Sequence, residues 1–259
     1  GAGRVHLFKR GTQNDWPVLD VLTAHANDAR FGAALDLDEA DNLIVGSPDA
    51  SVNGAQSGEA YIYRRTETSA GSKWVEEADP GSSIAGGHAG AGVAIDRGWA
   101  FVGAPGEMVD SDRTGRVRIY RRNHTTADPW EEVATLEPAL ALSGVRQFGR
   151  SIALDEHTAV IGAPGENSNG SAFVYSRVFS AAGTWRYTAK LLDPCNEPGN
   201  GFGTAVALDH DQIYVGSPRS AVASTENAGT VTRFERQGST WTLQREVPDD
   251  GAHRLGSSV

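Results

Sequence analysis

The chain of 259 residues has little of three things that point to particular classes of protein. It has one cysteine, Cys195, so neither a disulfide framework nor a cysteine-based metal site can form within it. Its apolar runs are short, as at residues 99–102, and none approaches the roughly 18–20 residues of a membrane span. Basic residues are outnumbered, 23 Lys and Arg against 33 Asp and Glu, and the net charge of −10 argues against nucleic acid as a partner.

Glycine is abundant, with 31 residues, and much of it falls in patterns that recur along the chain. The first pattern is an aromatic or small residue, then glycine, then a strand-like segment that ends in aspartate. Its copies are Phe31-Gly32 to Asp38, Ala89-Gly90 to Asp96, Phe148-Gly149 to Asp155 and Phe202-Gly203 to Asp209, and a fifth begins at Leu255-Gly256. The second pattern is an apolar segment that ends in Gly-Ala-Pro or Gly-Ser-Pro, with its prolines at Pro48, Pro105, Pro164 and Pro218.

Two further patterns keep step with the first two. A glycine is followed five residues later by an aromatic residue and then by arginine, and the aromatic positions are Phe8, Tyr63, Tyr120, Tyr175 and Phe234. A tryptophan opens the next segment in each case, at Trp16, Trp74, Trp130, Trp185 and Trp241. The first-pattern copies start 58, 59, 54 and 53 residues apart, so the whole chain is a repeat of one unit.

Each unit contains four candidate strands, and the first two form a hairpin. In the third copy, short apolar runs at 151–154 and 158–161 flank a turn that begins at Asp155, whose carboxylate can accept nearby backbone N–H groups. No segment shows a sustained helical period. A four-stranded antiparallel unit buries both faces only by stacking radially on its neighbours, so the predicted fold is all-β, a β-propeller of four-stranded antiparallel blades. A single-row β-solenoid is the alternative, although its repeats are usually shorter.

These residues resemble FG-GAP repeats, the blades of the propeller in integrin α subunits and in many bacterial secreted proteins. The resemblance runs through essentially the whole chain, in Phe148-Gly149 with Gly162-Ala163-Pro164 and in the other copies. It implies an extracellular, secreted or cell-surface binding or adhesion platform, in a ring of seven blades like that of integrins. It also implies that the chain is not an enzyme.

Some integrin-type repeats hold calcium in the loop between the FG and GAP strands, and calcium requires six to eight oxygen ligands. Most turns of this chain are too short for such a loop. The first repeat comes nearest, with Asp36, Asp38 and Asp41, although it lacks the glycine of the family's loop. Calcium is therefore a candidate cofactor at these three residues, and turn-forming carboxylates are the alternative interpretation.

The loops after each proline are longer and more varied than the hairpin turns, and such loops often carry binding residues. Their polar side chains are candidate binding residues: Asp49, Asn53, Glu107, Asp110, Asp112, Glu166, Asn167, Asn169, Glu226 and Asn227. The alternative is that these loops are solvated connectors.

No recognised catalytic motif is present, since the chain has no HExxH, GxSxG or phosphate-binding loop, and its seven histidines do not share a repeat position. The sequence favours a non-enzymatic module that binds a protein or glycan at a surface. A carbohydrate-binding lectin, or an accessory domain of a larger secreted enzyme, is the alternative.

The repeat divides the chain into a single propeller region, 1–259, with units at about 1–30, 31–88, 89–147, 148–201, 202–254 and 255–259. The first unit supplies only strands three and four of a blade, and the last supplies only strand one. A ring closed on these elements would lack one second strand and leave unpaired edges. We therefore expect the chain to be part of a longer parent chain, four complete repeats with partial blades at both ends.

Overall fold

A computed structural model of the chain describes residues 3–12, 14–25, 29–69, 71–82, 84–109, 114–123, 125, 129–138, 144, 146–178, 184–195, 198–222, 225–248 and 254–259. Within these residues the regular structure is almost entirely β-strand, with one short 3-10 helix at Glu166–Ser168. The described part of the chain contains no helix that is long and apolar enough to cross a membrane. The predicted all-β class is confirmed.

The strands form one two-stranded and four four-stranded antiparallel sheets within the described residues. The first sheet contains β1 (Arg4–Phe8) and β2 (Val18–Thr23). The second contains β3 (Ala34–Leu37), β4 (Asn42–Ser47), β5 (Glu59–Thr68) and β6 (Gly71–Ala78). The third contains β7 (Gly92–Asp96), β8 (Trp99–Ala104), β9 (Arg116–Arg122) and β10 (Trp130–Leu136). The fourth contains β11 (Ser151–Leu154), β12 (Thr158–Ala163), β13 (Ser171–Val178) and β14 (Thr184–Leu192). The fifth contains β15 (Ala205–Asp209), β16 (Gln212–Ser217), β17 (Thr230–Gln237) and β18 (Thr240–Pro248).

In each four-stranded sheet, consecutive strands along the chain are neighbours in space. The hairpin of β11 and β12 pairs Ser151 with Gly162 and Leu154 with Ala159. Its turn is held as the sequence predicts, because the backbone N–H groups of His157 and Thr158 donate to Asp155 Oδ1 at 3.0 and 2.8 Å.

The core lies between neighbouring sheets, where bulky side chains of one sheet contact those of the next. Trp185 on β14 meets Trp99 edge-on at a centroid distance of 5.9 Å and Phe101 at 5.0 Å, so it joins the fourth sheet to the third. Phe148, from the FG pattern, contacts Phe173 at 5.5 Å and is fully buried. Aromatic burial of this kind supplies much of the stabilising free energy between stacked sheets.

The FG glycine has a conformational role and a packing role. Gly149 has φ +89°, and the N–H of Arg150 donates to the carbonyl of Gln147 at 3.1 Å, as at the third position of a type II turn. In packing, a Cβ added to Gly103, in the Gly-Ala-Pro pattern of the third sheet, would overlap the Gly149 carbonyl oxygen of the fourth. The two glycine patterns recur together because the backbones of successive sheets touch at these positions.

Candidate functional site

The FG turns and the Gly-Ala-Pro or Gly-Ser-Pro segments lie at one end of each four-stranded sheet, because the first strand begins there and the second strand ends there. We call this the FG end, and the opposite end, with the turns between first and second strands, the hairpin end. At the FG end, turns of the second, third and fourth sheets surround a pocket of about 480 Å³, the FG-end pocket. It is lined by Arg30, Ala33, Pro48, Asp49, His88, Ala91, Pro105, Gly106, Arg146, Gln147, Arg150 and Gly165.

The FG-end pocket is basic although the chain as a whole is acidic. Arg30, Arg146 and Arg150 line it with one carboxylate, Asp49, among the described lining residues. Much of the Arg150 side chain is exposed, yet the surrounding protein reduces the solvation of its guanidinium group and so lowers its pKa, and the charge of Arg30 lowers that pKa further. Among the described residues no carboxylate forms an ion pair with Arg146 or Arg150. Like charges held together in this way favour an anionic ligand.

The Asp49 carboxylate orients the imidazole of His88. The Nδ1 atom of His88 lies 3.3 Å from Asp49 Oδ1 and 3.2 Å from the carbonyl oxygen of Pro48. Arg30 Nη1 lies 3.6 Å from the other oxygen of Asp49. Two acceptors at Nδ1 favour the tautomer with the proton on that nitrogen, so Nε2 is left as the acceptor of the neutral ring.

A single repeat position supplies several of the polar side chains at the FG end. The residue before each FG pair has a positive φ, namely 61° at Arg30, 54° at His88, 60° at Gln147 and 57° at Arg254, and the fifth copy is Gly201 at 75°. A left-handed backbone is unfavourable for such side chains, and strain of this kind is concentrated at functional sites. Sequence reasoning missed this position, although its polar side chains at a fixed place beside the FG pair were a readable signal.

In each loop after a proline, two adjacent residues have opposite environments. The residue directly after each proline lines a pocket at the FG end, and these residues are Asp49, Gly106, Gly165 and Arg219. The next residue is buried in every copy, and these residues are Ala50, Glu107, Glu166 and Ser220. Asp49 therefore lies where a binding residue is expected, whereas Glu107 and Glu166 lie in the interior.

The two buried glutamates hold their loops to the sheets. Glu107 accepts hydrogen bonds from Arg118 Nη1 and Nη2 at 2.7 and 3.0 Å, and from the hydroxyl of Ser82. Glu166 accepts from the hydroxyl of Ser171 and from the ammonium group of Lys190. These carboxylates have protein partners and are not presented to a ligand at the loop surface.

The other candidate loop residues are dispersed. Asn53, Asn167, Glu226 and Asn227 are exposed, and Asn169 is partly buried. Two of them contact a segment further along the chain, since Asn53 Nδ2 donates to the Ser82 carbonyl at 3.4 Å and the Asn169 carbonyl accepts from Phe202 N–H at 3.1 Å. Asp110 and Asp112 lie outside the described residues.

The three carboxylates suggested for calcium do not converge. Asp38 accepts from the N–H groups of Ala40 and Asn42, each at 2.9 Å. Asp36 accepts from Ile95 N–H of the next sheet at 2.8 Å, and Asp41 forms an ion pair with Arg65 at 3.1 Å. In the described part of the chain, no group of three or more His, Cys, Asp or Glu side chains has a geometry suited to a metal ion. The residues present therefore fit a turn better than they fit a calcium site.

The hairpin end is acidic. A second pocket of about 480 Å³ lies there, and its carboxylates include Asp36, Asp38, Asp96, Asp155 and Glu156. Burial raises the pKa of Asp96 to about 6; Arg97 opposes this shift, whereas Asp38, Asp155 and Glu156 add to it. The described chain thus carries opposite charge at its two ends.

The arrangement of stacked four-stranded sheets around a pocket at one end defines a β-propeller. Residues 130–175 match the FG-GAP repeat family, so the chain contains this repeat. A periplasmic gluconolactonase of Pseudomonas aeruginosa is similar in structure, with a TM-score of 0.62 and 14% sequence identity. The similarity covers 96% of this chain and 65% of the gluconolactonase chain, so this chain spans about two thirds of the length of the gluconolactonase. No curated protein sequence matches the chain at a significant level.

The expectation that the chain is not an enzyme is contradicted by this likeness, because a protein of similar fold is named a gluconolactonase. That expectation followed from the absence of local catalytic motifs. In a repeat protein, however, the side chains that line one pocket can come from turns far apart in sequence, as Asp49, His88 and Arg150 do here. The absence of a local motif is therefore a weak argument in this fold.

Proposed function

We propose that the FG-end pocket binds a carboxylate-bearing ligand. The observation that carries the proposal is the convergence of Arg30, Arg146 and Arg150 on one pocket whose described lining contains a single carboxylate. The three arginines and one aspartate sum to a positive charge, and a ligand carboxylate would offset it. Guanidinium groups suit this role because they donate paired hydrogen bonds to both carboxylate oxygens.

The proposed setting is outside the cytoplasm, in an extracellular, cell-surface or periplasmic location. The FG-GAP match and the periplasmic neighbour support this setting. There the carboxylate would belong to an acidic sugar or to an acidic group on a protein surface.

Isothermal titration calorimetry with glucuronate and gluconate at low salt tests the proposal. Replacing Arg150 with alanine should weaken binding by about tenfold, the loss of roughly one charge-assisted hydrogen bond. Arg186 on β14 is exposed and lies outside the pocket lining, so Arg186→Ala is the matched control and should change affinity by less than about twofold. Equal affinities for wild type and Arg150→Ala would reject the proposal.

A second candidate function is hydrolysis of a lactone, which the Asp49–His88 pair favours. His88 Nε2 would take a proton from water as that water attacks the lactone carbonyl, and would return it to the ring oxygen as the C–O bond breaks. The product is a hydroxy acid, whose carboxylate the arginines would hold. The gluconolactonase is similar to this chain in fold alone, so the geometry of the Asp49–His88 pair is the main support for this candidate.

Hydrolysis of glucono-δ-lactone, followed by pH-stat titration, separates the two functions. His88→Gln should abolish any lactone hydrolysis and leave gluconate affinity within about twofold, because the amide keeps a polar group but is not a base at neutral pH. Wild-type protein that binds gluconate without accelerating hydrolysis would leave binding as the sole function of this pocket.

A further inference from the structure

We propose that the site extends beyond the FG-end pocket and that its ligand is an acidic oligosaccharide that spans adjacent blades. This inference rests on the proposed function and assigns its ligand class. A second cavity of about 280 Å³ adjoins the first and shares Gln147 and Arg150 with it. The remaining described lining residues of this second cavity are Pro164, Thr204, Pro218, Arg219, Arg254 and Ser257.

The second cavity repeats the chemistry of the first, one blade further along the chain. Arg254 occupies the left-handed position before the last FG-like pair, as Arg30 does at the first. Arg219 occupies the position directly after proline, as Asp49 does. The described lining of the second cavity contains no Asp or Glu. Arg150 lines both cavities, and it therefore lies between Arg30 and Arg146 of the first and Arg219 and Arg254 of the second.

One departure from the repeat makes room for this arrangement. The left-handed position is glycine only at Gly201, and a Cβ there would lie 2.9 Å from Arg219 Nη2. The Arg219 guanidinium group therefore occupies the space that a side chain at position 201 would need. In the fifth sheet, the basic group comes from the position after proline.

The neutral groups of the second cavity suit sugar hydroxyls. The hydroxyl of Thr204 donates to the Gly201 carbonyl at 2.7 Å, and that of Ser257 donates to the Arg254 carbonyl at 2.7 Å. With their protons so placed, both oxygens remain acceptors for a ligand O–H. The amide of Gln147 offers both a donor and an acceptor between the two cavities.

The same lining disfavours single-stranded nucleic acid, another polymer with regularly spaced anionic groups. Proteins that bind it stack the bases on aromatic side chains. The described lining of the two cavities contains no Phe, Tyr or Trp. A polymer of uronic acids needs no such platform, because its carboxylates and hydroxyls match arginine, amide and hydroxyl groups.

Binding of galacturonate, of its linear tetramer, of neutral cellotetraose and of oligothymidylate tests the inference, with measurements at two salt concentrations. The tetramer should bind at least about tenfold more tightly than the monomer, because it reaches the second group of arginines, and cellotetraose should not bind. The double variant Arg219→Ala/Arg254→Ala should reduce tetramer affinity to that of the monomer, which still binds in the FG-end pocket lined by Arg30, Arg146 and Arg150. Arg219→Lys, which keeps the charge, should retain most of the gain.

The outcomes separate this inference from the proposed function. If the monomer binds through Arg150 but the tetramer binds no more tightly, the extended site is overturned and the proposed function stands. If neither ligand binds, both are overturned. If oligothymidylate binds more tightly than the tetramer and depends on Arg219 and Arg254, the ligand class is overturned in favour of nucleic acid. Unchanged melting temperatures of the variants would show that lost affinity is not lost folding.

Discussion

Both terminal nitrogens of Arg118 donate hydrogen bonds to the carboxylate of Glu107, and the Glu107 side chain is completely buried. Burial alone would lower the pKa of Arg118, but the hydrogen bonding and charge of Glu107, together with Tyr120 and Glu132, outweigh it, and the pKa is raised. Removing one member of a buried ion pair leaves the other charge uncompensated. We expect Glu107→Ala to lower the free energy of unfolding by about 3–5 kcal/mol in urea denaturation.

The control for Glu107 is Glu131→Ala, since Glu131 is exposed on β10 and its replacement should change stability by less than about 1 kcal/mol. The double variant Glu107→Ala/Arg118→Leu should recover part of the loss, because it leaves no buried charge alone. A loss of less than about 1 kcal/mol for Glu107→Ala would contradict a structural role for this carboxylate.

Two tryptophans at the same repeat position have opposite environments. Trp185 is 6% exposed and contacts Trp99 and Phe101, whereas Trp16 is 59% exposed. We expect Trp185→Ala to destabilise the protein by about 3–5 kcal/mol, since it creates a cavity between two sheets. Trp16→Ala should cost less than about 1 kcal/mol. Thermal unfolding followed by circular dichroism measures both, and similar losses for the two variants would count against the sheet-to-sheet role of Trp185.

The carboxyl group of Asp96 makes stability depend on pH. Its pKa is raised in the folded protein to about 6, so the folded state favours the protonated form. The resulting stabilisation is present below the unfolded pKa and is lost as the pH rises through about 6. Asp96→Asn should therefore stabilise the protein at pH 7.5, by about 1 kcal/mol because the group is partly solvated and screened.

At pH 4 the gain from Asp96→Asn should largely disappear, because the folded aspartate is already protonated there. Glu39→Gln, at an exposed position of the same pocket, controls for a general change of charge at the hairpin end. Melting temperatures across this pH range test the prediction, and an equal gain at both pH values would rule out titration of Asp96 as the cause.

Asp38 distinguishes a turn from a metal site. Its carboxylate accepts the N–H groups of Ala40 and Asn42 and the side-chain amide of Asn42. We expect Asp38→Ala to cost about 1–2 kcal/mol, to the same extent in calcium and in excess EDTA, because the lost hydrogen bonds involve no ion. Differential scanning calorimetry gives the comparison. Calcium that raised the melting temperature of wild type but not of Asp38→Ala would instead support the metal site.

The strands were predictable because their signals are local. The hairpin around Asp155 is visible within a few residues, and the four or five copies of each pattern remove ambiguity. The FG-end pocket could not be predicted in this way. Arg30 and Arg150 are distant in the chain, and they line one pocket only because the turns of the second, third and fourth sheets surround it.

Acidic residues of the loops after the prolines differ in environment, and this difference is harder to predict from the sequence. Asp49 lines the pocket and Glu107 lies in the interior, although both follow a proline within two residues. Composition treats these acidic loop residues alike. Aligning the copies at the proline distinguishes Asp49 from Glu107. In every copy the residue directly after the proline lines a pocket at the FG end, and the next residue is buried. The position of an acidic residue relative to the proline, and not its type, therefore determines whether it can contact a ligand.

The type II turn at each FG pair separates the part of a blade that must stay constant from the part that is free to vary. The glycine fixes the backbone, and the residue before the aromatic position can be Arg, His, Gln or Gly with the turn unchanged. Ligand preference can therefore be changed one blade at a time, by substitutions at positions 30, 88, 147 and 254, while the FG glycines keep the backbone contacts between sheets. We expect grafting of these few positions to transfer selectivity between propellers of this kind.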